Sequence, residues 1–425
     1  MVKRFIFFTL ILAFVVVGAS FAGTINLPQT GQTKCYDTSG VEIPCAGTGQ
    51  DGDIQAGVEW PSPRFTVNED TTIKDNLTGL VWARDGNIMP TRDPGWDTDA
   101  TVNDGAVTWQ HALDYVAKLN AENYLGHSDW RLPNVNELES LINAYELNIA
   151  TWLNTQGFIN VQGSNYWSST TYAYYPDSAW FVSMWNGAVN SDDKSSVHGL
   201  VWPVRAGQSG TFDNSVISLP KTGQTKCYDT LGNEIPCSGT GQDGEIQAGV
   251  AWPDPRFSVS GDCVTDNLTG LMWTKDANLP NGTKTWQQAL DYVAGMNAGT
   301  YPNYGYTDWR LPNRKEPYSL MDFSQYNPPL SSGHPFTNVQ ASNYWSSTTF
   351  AYYYYTDDAW VVYMWDGVVS YNYKPNYCYM WPVRGGQIQP AGCSTWSDVI
   401  GKYNTYVSGQ ASWNDVITCY GEYAK

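Results

Sequence analysis

The side chains best suited to chemistry are tyrosines and acids gathered in short segments of two related halves. Tyrosines occupy all four positions from 352 to 355, and they cannot all point inward from one strand or loop. Tyrosine offers a large contact area at a small cost in conformational entropy, which suits recognition. We therefore predict a ligand-binding surface at Tyr353, Tyr354, Tyr355, Tyr371, Tyr373, Tyr377 and Tyr379. The alternative is packing against another lobe or subunit, including self-association.

The corresponding segment of the first half is polar and acidic. It carries Asp192, Asp193 and Lys194, which we predict to bind ligand in that half. Such a surface suits hydrogen-bonded or cationic partners, whereas the tyrosine-rich surface suits a glycan or a protein face. The two halves are therefore expected to prefer different ligands.

Two acidic turns are the candidate metal sites. Asp51 and Asp53 flank one glycine, and Asp243 and Glu245 flank another, so each turn could present carboxylates to calcium. Acidic glycine-rich turns without a metal are commoner, and no other cofactor is expected. The four histidines are scattered and no Cys-x-x-Cys pair occurs, which argues against zinc. No Ser-His-Asp arrangement or paired-carboxylate signal is readable, so we do not expect an enzyme.

The cysteines predict disulfides. Two pairs recur at equal spacing, and we predict a local bridge in each: Cys35 with Cys45, and Cys227 with Cys237. A further bridge is predicted between Cys393 and Cys419, which flank the C-terminal segment. Cys263 and Cys378 have no counterpart in the first half, which leaves open a bridge within the second half or a free Cys378.

The N-terminus has the pattern of an export signal. Lys3 and Arg4 precede an apolar stretch from Phe5 to Val17, and small residues favour cleavage after Ala22. The alternative is an uncleaved anchor, but the stretch is short for a membrane span. No membrane span is expected after removal of the signal. We expect a protein that is secreted, extracellular or on the cell surface, with the periplasm as the alternative. A formal charge of −18 argues against nucleic acid and anionic membranes as partners.

An internal repeat organises the whole chain. A segment rich in glycine and proline precedes each half, and each half then repeats one series of motifs, from Leu-Thr-Gly-Leu to Trp-Pro-Val-Arg. We divide the chain into a signal peptide (1–22), leader 1 (23–68), lobe 1 (69–208), leader 2 (209–259), lobe 2 (260–388) and a tail predicted as a two-helix hairpin (389–425). Each leader is expected to lie on the lobe that follows it, and the lobes are expected to fold independently.

Periodicity predicts the same elements in both lobes. A strand that ends at Trp82 leads into a helix capped by Thr108, with Trp109 on its apolar face. Asn134 and Glu137 have the spacing of a capping box for a second helix. Strands follow, with a tight turn at Asn-Gly or Asp-Gly.

The tryptophans of the shared motifs are expected in the core, including those of the Met-Trp pairs. The shared arginines (Arg131, Arg205, Arg310 and Arg384) are expected to pair with acids such as Asp129 or Asp308. Positions where the two copies differ, chiefly 190–200, 370–380 and the segments near 174–177 and 353–357, are expected on the surface.

The ordered motifs Leu-Thr-Gly-Leu-x-Trp, Asp-Trp-Arg-Leu-Pro-Asn, Tyr-Trp-Ser-Ser-Thr and Pro-Val-Arg resemble the C-terminal domain family of the Legionella collagen-like protein (Lcl). The resemblance covers both lobes. It implies an α+β, C-type-lectin-like fold in each lobe: two helices against a twisted antiparallel sheet, with the termini on neighbouring strands. It also implies an adhesin or ligand-binding role. A kinship with formylglycine-generating enzymes would require a reactive cysteine pair near the end of the lobe, where only Cys378 is present.

Overall fold

The computed structural model describes residues 25–97, 104–205, 217–352 and 355–385. The predicted signal peptide and the predicted tail hairpin, with the Cys393–Cys419 bridge, lie outside these residues. Within them, no helix combines the length and apolar character that crossing a bilayer requires.

The first half contains strands and helices in alternating groups. In chain order they are β1 Cys35–Tyr36, β2 Glu42–Ile43, α1 Asp51–Ile54, β3 Phe65–Val67, β4 Thr72–Asp75, β5 Val81–Ala83, α2 Ile88–Arg92, α3 Trp109–Ala121, α4 Val135–Ser140, α5 Ile149–Thr155, β6 Asn165–Thr171, β7 Ser178–Ser183, β8 Val189–Asp193, β9 Gly199–Leu200 and β10 Val204–Arg205. Short 3-10 turns at Pro94–Trp96 and Tyr124–Gly126 flank α3.

The second half repeats most of this order. Its elements are β11 Cys227–Tyr228, β12 Glu234–Ile235, α6 Asp243–Ile246, β13 Phe257–Ser260, β14 Cys263–Asp266, β15 Met272–Thr274, α7 Trp286–Asn297, α8 Lys315–Ser319, β16 Asn343–Thr349, β17 Asp358–Tyr363, β18 Val369–Tyr373 and β19 Val383–Arg384. The molecule is therefore a mixed α+β protein with two tandem domains.

One large sheet joins the two lobes. Its strand order is β16-β17-β18-β8-β7-β6-β9, and the lobes meet where Val369 of β18 pairs antiparallel with Val189 of β8. Each half also has a four-stranded sheet, ordered β10-β5-β4-β3 and β13-β14-β15-β19, in which the leader supplies β3 or most of β13. In these sheets the first and last strands of a lobe motif are neighbours, because β5 pairs with β10 and β15 with β19.

Local signals explain the helix starts. The Thr108 hydroxyl accepts a hydrogen bond from the backbone N–H of His111 at the first turn of α3. The Asn134 and Glu137 side chains form the reciprocal capping box predicted for α4. In lobe 2 the Asn313 amide oxygen accepts from two backbone N–H groups of α8, and the Glu316 carboxylate accepts from the backbone N–H of Asn313.

The core contains the tryptophans that the two copies share. The following are at most 2% exposed: Trp82, Trp130, Trp167, Trp202, Trp273, Trp309, Trp345 and Trp381. The predicted arginine pairing is also confirmed, since Arg205 pairs with Asp129 and Arg384 with Asp308. Arg131 and Arg310 pair instead with Glu137 and Glu316, six residues further along the chain.

Each leader contacts the lobe that follows it, as expected, and it also contacts the other lobe, which was not expected. In leader 1, the buried Asp51 accepts hydrogen bonds from its own Thr30 and from Thr348 of lobe 2, both at 2.6 Å. The Thr30 carbonyl also accepts from the backbone N–H of Ala144 in lobe 1, at 2.8 Å. Leader 1 therefore bridges the lobes.

Leader 2 makes the reciprocal contacts. Asp243 accepts hydrogen bonds from Thr222 at 2.6 Å and from Thr170 of lobe 1 at 2.7 Å. The Thr222 carbonyl accepts from the backbone N–H of Phe323 in lobe 2, at 2.8 Å. The halves are thus interlocked by two exchanged leaders.

Buried charges reinforce the junction of the lobes. Glu139 of lobe 1 pairs with Lys315 of lobe 2 at 3.0 Å and with Arg314 at 3.4 Å. The Arg314 guanidinium also lies over the Trp360 ring, 3.9 Å from its centroid, and donates to the Gly187 carbonyl at 2.9 Å. Since separation of the lobes would leave these charges unpaired, the junction is a structural interface.

The two predicted local disulfides are present. Cys35 is bonded to Cys45, and Cys227 to Cys237. Cys263 and Cys378 are both free and buried in lobe 2, so they do not form a bridge.

Candidate functional site

Exposed aromatic side chains lie mainly in the hairpins and turns of the seven-stranded sheet. The exposed rings include Tyr174, Tyr175, Trp185, Tyr326, Tyr355, Tyr373 and Tyr377. All but Tyr326 belong to the β6–β7, β7–β8 and β16–β17 connections or to β18 and the segment that follows it. Rings from the two lobes meet there in two groups.

Aromatic cluster 1 consists of Tyr172, Tyr174 and Tyr175 of lobe 1 with Tyr326 and Trp365 of lobe 2. Tyr174 is its centre: its ring centroid lies 4.3 Å from that of Tyr175, 4.9 Å from that of Tyr326 and 5.7 Å from that of Trp365. These rings meet edge to face, the favourable arrangement for aromatic pairs. Below them the buried Tyr172 donates a hydrogen bond to Asp366 of lobe 2 at 2.8 Å. The cluster is therefore held by both lobes.

Aromatic cluster 2 consists of Trp185 of lobe 1 with Phe350, Tyr352, Tyr355 and Tyr371 of lobe 2. The Trp185 and Tyr352 centroids are 5.0 Å apart, and those of Tyr352 and Tyr355 are 6.1 Å apart. Phe350 and Tyr371 are stacked in parallel at 3.9 Å. Trp185 and Trp365 occupy the same motif position in the two copies, so the clusters are related by the internal repeat.

The predicted tyrosine surface of lobe 2 is divided. Tyr355, Tyr373 and Tyr377 are exposed. Tyr371 and Tyr379 instead pack against the hydrophobic core, so we correct their assignment to a freely exposed surface. Tyr353 and Tyr354 lie outside the described residues.

The predicted polar surface of lobe 1 needs a correction at Lys194. Its side chain is fully buried: the ammonium lies 4.2 Å from the Trp109 ring centroid and donates to the carbonyls of Tyr228 and Asp229 in leader 2. Burial lowers the pKa of Lys194 to about 7. Lys194 therefore anchors leader 2 and is not part of an exposed surface. Asp193 is exposed, and Asp192 is half-buried and within 2.9 Å of His198 Nδ1.

Lys374 holds the equivalent place in lobe 2. Its ammonium donates to the Asp37 carbonyl of leader 1 at 3.1 Å and lies 4.3 Å from the Trp286 ring centroid. Burial lowers the pKa of Lys374 to about 7 as well. This lysine recurs in both copies, and that recurrence is the sequence signal from which a structural role could have been predicted.

The candidate calcium ligands engage protein donors. Asp51 and Asp243 are buried under threonine hydroxyls, and burial raises the pKa of each to about 6. Asp53 accepts from the backbone N–H of Gly49, and Glu245 accepts from those of Gly239 and Gly241. In the part of the chain that the structure describes, no group of three or more His, Cys, Asp or Glu side chains could hold a metal ion.

Sequence reasoning missed part of the exposed aromatic surface. Trp185 and Trp365 were both expected in the core because the Met-Trp pair recurs in the two copies, but Trp185 is 44% exposed and Trp365 is half-buried. Tyr326 and Trp365 carry no sequence signal that links them to Tyr174, because they lie in the other lobe. The sequence signal for this region was that the two copies differ at residues 174–177.

The comparisons with known proteins agree with the internal repeat. A search of the curated proteins found no match to the chain. The sequence does match the Lcl C-terminal domain, over residues 71–205 and again over 262–384. These two segments span both lobes and more than half of the chain. The protein therefore belongs to the Lcl C-terminal domain family, of which it carries two tandem copies.

Proposed function

We propose that this protein is an exported binding protein, of the adhesin or lectin-like kind, which recognises its ligand through exposed aromatic side chains near the lobe junction. Family membership and the two disulfides favour an extracellular or cell-surface location. We further propose that each lobe is a C-type-lectin-like scaffold, with the neighbouring first and last strands expected of that fold.

One observation carries the proposal. Most of the shared tryptophans are buried, whereas most exposed tyrosines lie in or beside the segments where the two copies differ. A rigid frame with different exposed loops is the usual arrangement of a recognition surface. Tyr355, Tyr373 and Tyr377 add phenol groups that can both donate and accept hydrogen bonds.

Two alternatives fit less well. A structural role in a surface assembly would use the same aromatic surface for self-association. An enzyme of the formylglycine-generating type would need a reactive thiolate, but burial raises the pKa of Cys263 and raises that of Cys378 to about 11. Burial of each thiol therefore disfavours the thiolate form that nucleophilic chemistry requires.

The test compares matched tyrosine variants of the mature chain on a glycan array and on intact cells. Simultaneous replacement of Tyr355, Tyr373 and Tyr377 by Ser should abolish lobe 2 binding and leave the thermal unfolding midpoint nearly unchanged. Replacement of the same three residues by Phe keeps the rings and should retain part of the binding. Wild-type binding by the Ser variant would refute the proposed surface, and concentration-dependent oligomers that the Ser variant loses would support self-association instead.

A further inference from the structure

We propose that aromatic clusters 1 and 2 are two composite subsites for an uncharged saccharide, each built from both lobes. The inference rests on the proposed binding function and assigns it a site and a ligand class. Neither lobe alone carries a complete cluster: Tyr174 of lobe 1 contacts Tyr326 and Trp365 of lobe 2, and Trp185 of lobe 1 contacts Tyr352 of lobe 2.

Contacts at the base of each cluster hold part of its rings in place before a ligand arrives. In cluster 1 the Tyr172–Asp366 hydrogen bond joins the hairpin of one lobe to the turn of the other, beneath the exposed rings. In cluster 2 the stacked Phe350 and Tyr371 support Tyr352, which is itself stacked on Phe350 with an interplanar angle of 14°. Binding to such preorganised rings requires little further ordering, which lowers its entropic cost.

The chemistry of the exposed groups matches a sugar. Tyr175 and Tyr355 are 54% and 52% exposed, so each offers part of a ring face or edge together with a phenol group. A sugar has apolar C–H faces bordered by hydroxyl groups, and a tyrosine side chain can contact both kinds of group. A purely apolar ligand would leave the phenols without a role.

Charge selects among saccharides. The chain has 41 acidic and 23 basic residues, so its field repels sulfated or uronic-acid polymers. Arg314 and Lys315, the cations at the lobe junction, are buried and paired with Glu139. Among the described residues, the cation–ring contacts involve rings such as Trp360, Trp109 and Trp286, and none involves Tyr174, Tyr326 or Trp365. An uncharged saccharide is therefore favoured over an anionic one.

The size of the exposed surface favours a saccharide over a protein. A stable protein interface buries about 800 Å² on each partner, with an apolar core of many residues. Here the exposed rings form two small groups, each with two or three side chains that reach the solvent. Small aromatic platforms of this kind suit single sugar units.

The experiment measures retention of the mature full-length chain on immobilised neutral polymers: dextran, mannan, laminarin and chitin oligosaccharides. Dextran sulfate serves as the charged counterpart of dextran. One variant changes cluster 1 (Tyr175→Ser with Tyr326→Ser), and another changes cluster 2 (Trp185→Ser with Tyr355→Ser). The matched control is Tyr301→Ser, because Tyr301 is 41% exposed and lies in neither cluster. Thermal unfolding of each variant verifies the fold.

We expect retention on at least one neutral polymer, an affinity loss of at least about tenfold in each cluster variant, and no loss in the control. Retention only on dextran sulfate, or no retention on any neutral polymer, would overturn the inference. If a neutral polymer binds but only a Tyr373→Ser, Tyr377→Ser double variant, which leaves Tyr355 in place, weakens the binding, the binding function stands and the composite subsites are wrong. If the chain binds a cell-surface protein and no polymer, the function again stands and the saccharide assignment is wrong.

Discussion

Tyr371 and Tyr377 lie six residues apart in one tyrosine-rich segment, yet their environments differ. Tyr371 lies on β18 and stacks on Phe350 at 3.9 Å, whereas Tyr377 follows the strand and is 65% exposed. Sequence composition groups the two together, because alternation along a strand and burial by a neighbouring hairpin are not visible in a run of tyrosines. Only the exposed member is a good probe of binding.

The first prediction separates these two residues by stability. Tyr371→Ala should lower the free energy of unfolding by about 2 kcal/mol, because it removes a stacked ring from the core margin. Tyr377→Ser should change it by no more than about 0.5 kcal/mol. Urea denaturation of both variants measures the difference, and equal losses would contradict the assignment.

Asp51 supplies a second prediction at this scale. Burial raises its pKa from 3.8 to about 6, so between about pH 4 and 6 the folded state binds a proton that the unfolded state releases. The stability that this group contributes is complete below about pH 4 and is lost as the pH rises through 6. The shift corresponds to about 3 kcal/mol.

Asp51→Asn should therefore flatten the fall in stability between pH 4 and 6. Asparagine keeps an oxygen for the Thr30 and Thr348 hydroxyls but does not titrate. Urea unfolding of both proteins at several pH values provides the comparison, with Asp53→Asn as the control at a neighbouring carboxylate. An unchanged slope in Asp51→Asn would show that Asp51 remains ionised.

At the scale of elements, the local features were predictable and the distant ones were not. The capped helices α3 and α4 and the Asn186-Gly187 turn follow from signals within a few residues, and the turn needs a glycine at 187 because its φ is +84°. The exchange of leaders has no such signal. Thr348 and Asp51 are 297 residues apart, and nothing in either segment specifies which lobe it contacts.

The exchange of leaders predicts which part of the molecule is destabilised when leader 1 is removed. Deletion of residues 23–60 removes the Asp51 carboxylate that accepts from Thr348 and the Asp37 carbonyl that accepts from Lys374, so two polar groups of lobe 2 each lose a buried hydrogen-bond partner. Hydrogen exchange should accelerate at β16 and around Lys374 more than at the equivalent β6 and Lys194 of lobe 1. Faster hydrogen exchange confined to lobe 1 would instead indicate that leader 1 stabilises only the lobe that follows it.

At the scale of the whole molecule, the internal repeat indicated two independent lobes, whereas the structure shows one interlocked body. The repeat predicts how each lobe folds, but it does not predict which other part of the chain packs against the surface of that lobe. The shared sheet, the exchanged leaders and the Glu139–Lys315 pair all cross the boundary between the halves. Each half alone would expose the docking surface for a leader and a buried charge.

We therefore predict that residues 24–208 and 215–388, produced as separate chains, form a one-to-one complex when expressed together. Light scattering coupled to size exclusion gives the mass, and thermal melting gives the cooperativity. Each half alone should melt without cooperativity or form dimers by reciprocal exchange of leaders. Two monomeric halves, each as stable as the complete chain, would restore the independent-lobe interpretation.

The central claim is that the junction of the two lobes carries the recognition surface. Hydroxyl-radical footprinting of the full-length chain tests it most directly, with and without the neutral polysaccharide that retains it best. The account predicts protection of Tyr175 and Tyr326 in cluster 1 and of Trp185 and Tyr355 in cluster 2, with no change at Tyr301. Protection at Tyr301 while the four cluster residues remain fully reactive would contradict it.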